Sequence, residues 1–255
     1  MTGLQTLFVT WQAQPSRRIF PIARLMALPG GQFEFAYLEA VREAQAHGFA
    51  GLPGFEDLEA VHLSDTLPAF FSARAPQRGR AAALSQNPEP ANDHLDASPL
   101  TVLVPRPDGS GNERLEVFAP PLAAGDGHWG IFAARGVNQA PGAPELIERL
   151  EPGEQLAVNA EPHNPVNPKA LALARRDGTH IGYVPDYFAT ELGAVGASAE
   201  DFAASVARVS RINFPPAAPI YELLCRYTYA RRVGTGLFHS KRYQPLARGA
   251  AIRSP

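Results

Sequence analysis

Cysteine is almost missing from this chain: Cys225 is the single one in 255 residues. One thiol cannot close an intramolecular disulfide, so the stapled framework of small secreted domains is excluded. The seven histidines (His47, His62, His94, His128, His163, His180 and His239) include no pair at i, i+3 or i, i+4. A zinc centre would need distant residues to converge, and no metal or other cofactor is expected. Long apolar runs are also missing. Nothing approaches the roughly 18 residues of a membrane span, so no membrane partner is expected. The opening Met1-Thr2-Gly3-Leu4-Gln5 has neither the basic start nor the apolar run of a secretory leader, and the expected location is cytoplasmic. No charge of one sign dominates: 23 Lys+Arg stand against 25 Asp+Glu, a net −2. Any attraction to nucleic acid must therefore come from local patches. Enzyme signatures are missing as well, with no Gly-x4-Gly-Lys-Ser/Thr loop and no Gly-x-Ser-x-Gly elbow. The adjacent carboxylates Glu56 and Asp57, and Glu200 and Asp201, point apart on any regular element and read as solvated surface. A non-enzyme is expected.

What the chain has in excess is proline (25) and glycine (22), which favours short strands and long connections. Leu7–Gln12 and Ile19–Leu25 read as strands. Gln32–Tyr37 alternates polar and aromatic residues, the period of a half-buried strand. Leu38–His47, rich in Ala and Glu, reads as a helix stopped at Gly48. Gly51–Asp57 reads as loop, and a short helix is placed within Leu63–Ala73. Residues 85–99 read as a polar, Pro-rich linker. Leu100–Val104 and Leu115–Phe118 read as strands around the Asp108–Asn112 turn. Further strands are expected at Trp129–Val137, Gln155–Asn159, Phe202–Arg211 and Ile220–Tyr229. Pro144–Leu150 is expected as a short connection and Tyr187–Leu192 as a short helix. Cys225 reads as a small buried residue of the last strand.

The richest stretch is Glu161-Pro162-His163-Asn164-Pro165-Val166-Asn167-Pro168-Lys169-Ala170-Leu171-Ala172-Leu173, followed by Asp177-Gly178-Thr179-His180-Ile181-Gly182-Tyr183-Val184-Pro185. It reads as strand, polar loop, strand, tight turn, strand. Each X-Pro holds the preceding residue extended, and Asp177-Gly178 is a hairpin signal. The combination of Glu161-Pro162, Asn164-Pro165, Ala170 and Ile181-Gly182-Tyr183-Val184-Pro185 resembles the HIRAN domain. That module stands alone in bacteria and is fused to SNF2-type helicases in eukaryotes. The strand–strand–strand–helix order, with Ser64-Asp65-x-Leu67-Pro68-x-Phe70-Phe71, is similar to the region that precedes HIRAN in bacterial proteins, and loosely to HipA-type N-termini. Phe71-Ser72-Ala73-Arg74 resembles a Phe-x-x-Arg element of that region.

The resemblance implies an α+β, mainly β protein: an N-terminal α+β region over 1–127, a small OB-like β-barrel over 128–232, and a basic tail over 233–255. It also implies binding of single-stranded DNA at a 3′ end, where a Tyr-Asp pair of the family contacts the terminal nucleotide. The matching positions are Val166 and Asn167. Val cannot stack as Tyr does, and Asn167 offers only an uncharged acceptor. An Arg-Tyr pair of the family corresponds to Asn138-Gln139. Tyr183 is a candidate base-stacking residue or a barrel tyrosine with a satisfied hydroxyl. Lys169 is a candidate phosphate ligand or a solvated lysine. Asn164 reads chiefly as an Asx-turn residue.

From Leu223 onward there is no acidic residue, against Arg226, Arg231, Arg232, Lys241, Arg242, Arg248 and Arg253, with Tyr227, Tyr229, Phe238 and Tyr243 interleaved. Cations with aromatics suit phosphate neutralisation plus base stacking. Arg74, Arg78 and Arg80 form a second cluster. The expected function is a non-catalytic single-strand-binding module, an accessory to a helicase, nuclease or defence complex. The alternative is a protein–protein adaptor.

Overall fold

The computed structural model describes residues 5–72, 114–124, 127–139, 142–196, 199–211, 216, 219–230, 236–246 and 251–253. The protein is mainly β with short helices. Its described strands form two sheets, neither of which is closed into a barrel. The chain divides into two compact units: Met1–Pro120 with His239–Pro255, and Pro121–Phe238. The second unit is thus inserted within the first. Of the tail expected at 233–255, residues 239–255 group with the N-terminal region. No described helix is long and apolar enough to cross a membrane.

In the first unit β1 (Gln5–Gln12), β2 (Ile19–Ala27) and β3 (Phe33–Tyr37) form an antiparallel meander. A bulge in β2 sits beside Pro21, where a proline has no N–H for the ladder. α1 (Val41–Gln45), β4 (Val61–Ser64), α2 (Ala69–Ser72) and β5 (Arg114–Phe118) follow, and β13 (Ala251–Arg253) adds to β4 in parallel. The strand order is β13-β4-β3-β2-β1-β5. Alternation along the strands sends Leu7, Val9, Trp11, Phe20, Ile22, Leu25, Phe35 and Tyr37 into one core. Inside it the Tyr37 hydroxyl donates to Phe55 O at 2.8 Å and accepts from Leu52 N at 2.7 Å. The expected helix over 38–47 shortens to α1. Its first residues are engaged elsewhere: Glu39 N donates to Gln244 O at 2.9 Å and Leu38 bridges Pro245. Gly48 stops it at φ +96°, a conformation glycine adopts freely.

The second unit runs β6 (Leu122–Ala124), β7 (Gly127–Ala133), α3 (Ala143–Glu148), β8 (Gln155–Ala160), β9 (Leu171–Ala174), β10 (His180–Tyr183), α4 (Asp186–Ala194), a 3-10 turn (Ala199–Asp201), β11 (Phe202–Arg211) and β12 (Tyr221–Ala230). The sheet order is β10-β9-β8-β11-β12-β7-β6, with every neighbour antiparallel. Phe132, Phe202 and Tyr227 stack in its core, and Phe188 packs edge-on against Tyr227. Gly130 makes room for that cluster, since a Cβ there would stand 2.5 Å from the Tyr227 hydroxyl. The expected strand over 129–137 ends at Ala133, after which Arg135 exchanges two backbone hydrogen bonds with Tyr183, at 2.9 and 2.8 Å. The connection expected at 144–150 holds α3 instead, opened by Gly142 at φ 73° and by Pro144 in its first turn. The expected strand at 100–104 and the linker at 85–99 lie outside the described residues.

Candidate nucleic-acid interface

The Pro/Asn loop between β8 and β9 is held by its own amides. Asn164 Oδ1 accepts from the backbone N–H of Val166 at 3.0 Å and of Asn167 at 3.1 Å, the Asx-turn read from the sequence. Asn164 Nδ2 donates to Glu161 Oε2 at 2.9 Å. Asn167 Oδ1 accepts from Lys169 N at 2.9 Å, and its Nδ2 donates to Asp186 Oδ1 at 2.8 Å. The base of the loop is closed by Glu161 N to Ala170 O, at 2.9 Å. Asn167 was expected to offer a ligand an acceptor. Its oxygen already turns the loop, and its nitrogen ties the loop to α4. Val166 stands at the tip, 79% exposed, between Pro165 and Pro168.

Tyr183 is half-buried at the end of β10. Burial, then the Glu161 carboxylate, raises its pKa above the usual tyrosine value. One ring edge lies against Gly136, and His180 packs 4.8 Å away, centroid to centroid. Gly182 beside it is required by close approach: a Cβ would stand 2.6 Å from Arg135 O. Lys169 is exposed, with its stem over Gly193 of α4.

Asn138 was a candidate ligand residue, but both ends of its amide are engaged. Nδ2 donates to Tyr221 O at 2.7 Å, and Oδ1 accepts from Tyr221 N at 2.9 Å. It acts as one more strand partner at the start of β12. Gln139 is exposed, and its N–H closes the turn onto Gly136 O at 3.1 Å.

The C-terminal half of the expected site divides between the two units. Arg226 belongs to β12 and the second unit, whereas Lys241 and Arg242 belong to the first. There the segment from Ser240 to Leu246 is docked rather than solvated. Leu246 N donates to Tyr37 O at 2.8 Å, and Arg242 pairs with Glu43 at 3.1 Å. Lys241 is exposed. The interleaved aromatics do not form a stacking surface: Tyr227, Tyr229, Phe238 and Tyr243 are 1, 7, 4 and 3% exposed. On β12 the reason is the strand period, which puts Arg226 and Thr228 on one face and Tyr227 and Tyr229 on the other. Arg231, Arg232, Arg248 and the cluster Arg74, Arg78 and Arg80 lie outside the described residues.

Two residues were not singled out from the sequence. Trp129 of β7 carries the Arg226 guanidinium over its ring, with the carbon 4.7 Å from the centroid. Asp186 places a carboxylate beside Asn167. The signal for Asp186 was an acid directly after Pro185 at a helix start. Comparison with known proteins finds no matching family model, no matching curated protein and no matching solved structure.

Proposed function

We propose that the second unit is a non-catalytic single-strand-binding module of the OB-like kind, and that the chain is an accessory subunit bringing a helicase, nuclease or defence complex to unpaired DNA. The observation that carries this reading is the Arg135–Tyr183 bridge. It is an isolated pairing between the segment just after β7 and the end of β10, on an otherwise open sheet whose core includes Phe132, Leu156, Leu173, Ile181 and Leu223, and it supports the curling that an OB-like module needs. Such barrels hold single strands against a sheet face by basic and aromatic side chains. Arg226, Lys169 and Tyr183 are the exposed or half-exposed groups suited to that work.

The test is fluorescence anisotropy of a labelled oligothymidylate against the full chain as salt rises. Each phosphate neutralised on a single strand adds roughly 0.7 to the negative slope of log affinity against log salt. A steep slope, with weaker binding of a blunt duplex, is the expected result. Absence of binding at low salt overturns the reading.

The adaptor reading draws support from one observation: the amides of Asn138, Asn164 and Asn167 are engaged inside the protein. Replacing Arg231, Arg232, Lys241 and Arg242 by Glu separates the two. An adaptor loses a protein complex while its DNA affinity stays unchanged; a single-strand binder loses DNA affinity.

A further inference from the structure

We propose that the outer face of β7 and β12 carries a stacking platform for one unpaired nucleobase and its phosphate, built from Trp129 and Arg226. The proposal rests on the nucleic-acid reading above and adds where the base sits. The β7–β12 ladder sets Arg226 opposite Ile131 and Thr228 opposite Trp129, so Arg226 reaches Trp129 along the diagonal. The inward positions of the same strands, Phe132, Cys225 and Tyr227, fill the core. Trp129 and Arg226 therefore point outward, and both stay half-exposed.

The pair suits a nucleotide for two reasons. With its carbon 4.7 Å from the indole centroid, the guanidinium keeps N–H donors with which it can grip a phosphate. The indole adds a π-face that accepts any base. Next to them the face is flat and uncharged, with Ser205 opposite Arg226 and Ala203 opposite Thr228 on β11. Charge also favours an anion. Glu222 is the one acid at the outward positions of β7, β11 and β12, and Arg208 lies 3.6 Å from it. Among the described residues of these three strands, Arg226 has no acid beside it at an outward position. A platform drawn from the Arg and Tyr residues of β12 alone is ruled out, because those aromatics are inside.

The experiment uses the full chain, oligothymidylate, and the variants Trp129→Phe, Trp129→Ala and Arg226→Ala. Trp11, the other tryptophan, is buried in the first unit, so the signal lost in Trp129→Phe belongs to Trp129. The expected result is quenching of that signal by the oligonucleotide, with about tenfold weaker binding in Trp129→Ala and in Arg226→Ala. If Trp129→Ala fails to fold, quenching in the wild type relative to Trp129→Phe decides. Oligonucleotide binding with Trp129 unquenched and Arg226→Ala within twofold of wild type overturns the platform and leaves the single-strand reading standing. No binding by the wild type at low salt overturns both.

Discussion

Asn138 reads the backbone of Tyr221 as a strand would, giving one hydrogen bond at 2.7 Å and taking one at 2.9 Å. The two residues are 83 positions apart, so this amide fixes where β12 begins. Removing it with Asn138→Ala leaves a part-buried N–H and C=O without partners, at a cost of about 1–3 kcal/mol. The expected outcome is a lower urea midpoint with oligonucleotide affinity unchanged. A fall in affinity at unchanged stability would return Asn138 to the binding surface.

Gly182 is the tight point beside the Arg135–Tyr183 bridge. A methyl at this position would meet Arg135 O at 2.6 Å and Val137 Cγ1 at 3.0 Å. Backbone cannot yield as a side chain tip can, so Gly182→Ala is expected to force the Arg135–Tyr183 bridge apart and to cost about 1–3 kcal/mol. Amide hydrogen exchange checks it directly: the Arg135 and Tyr183 N–H groups should exchange faster than in the wild type, while those of β1 and β2 stay as they were.

The strand periods were legible in the sequence wherever a local pattern set them. Phe202–Arg211 forms a strand over its expected span, and the Asp177-Gly178 turn separates β9 from β10, with Gly178 at φ +85°. The Asx-turn of Asn164 was legible because a side chain reaching two residues ahead is a local matter. What escaped depended on distant chain. The helix expected from Leu38 lost its first turn to Gln244 and Arg242, some two hundred residues away. The mix of Arg and Tyr after Leu223 looked like one binding surface, but a strand sorts alternating residues to opposite faces. The aromatic partner of Arg226 came from β7, nearly a hundred residues earlier. Sequence spacing holds no record of that pairing.

The docked C-terminal segment gives a contrast between two neighbours. Tyr243 is buried edge-to-face against Phe8, with centroids 5.1 Å apart, whereas the Arg242–Glu43 pair is 36% and 47% exposed. Tyr243→Ala is expected to destabilise the first unit by about 3–5 kcal/mol, in the range of large aromatic truncations. Arg242→Ala is expected to change stability by less than about 1 kcal/mol, because solvent screens an open pair. Thermal melts of the two variants check the ranking. Equal and small effects would mean that 240–246 does not hold to the first unit in solution.

Cys225 supplies a pH dependence with a definite sign. Burial lifts its thiol from the usual 9.0 to about 12, and burial moves the Tyr227 hydroxyl in the same direction. Below pH 9 folded and unfolded chains both hold the thiol proton. Above it the unfolded chain releases that proton and the folded chain does not, so the unfolded state is favoured as pH rises toward the folded value. The expected loss from this group approaches about 1.4 kcal/mol per pH unit within that window. Urea unfolding between pH 7 and 10.5 should show stability falling with pH, and Cys225→Ala should flatten the fall despite its own lower starting stability. The same burial predicts that iodoacetamide leaves the folded thiol unlabelled at pH 8.5 and reacts once urea opens the second unit. Rapid labelling of the native chain would place Cys225 outside the core and remove the basis for the pH effect.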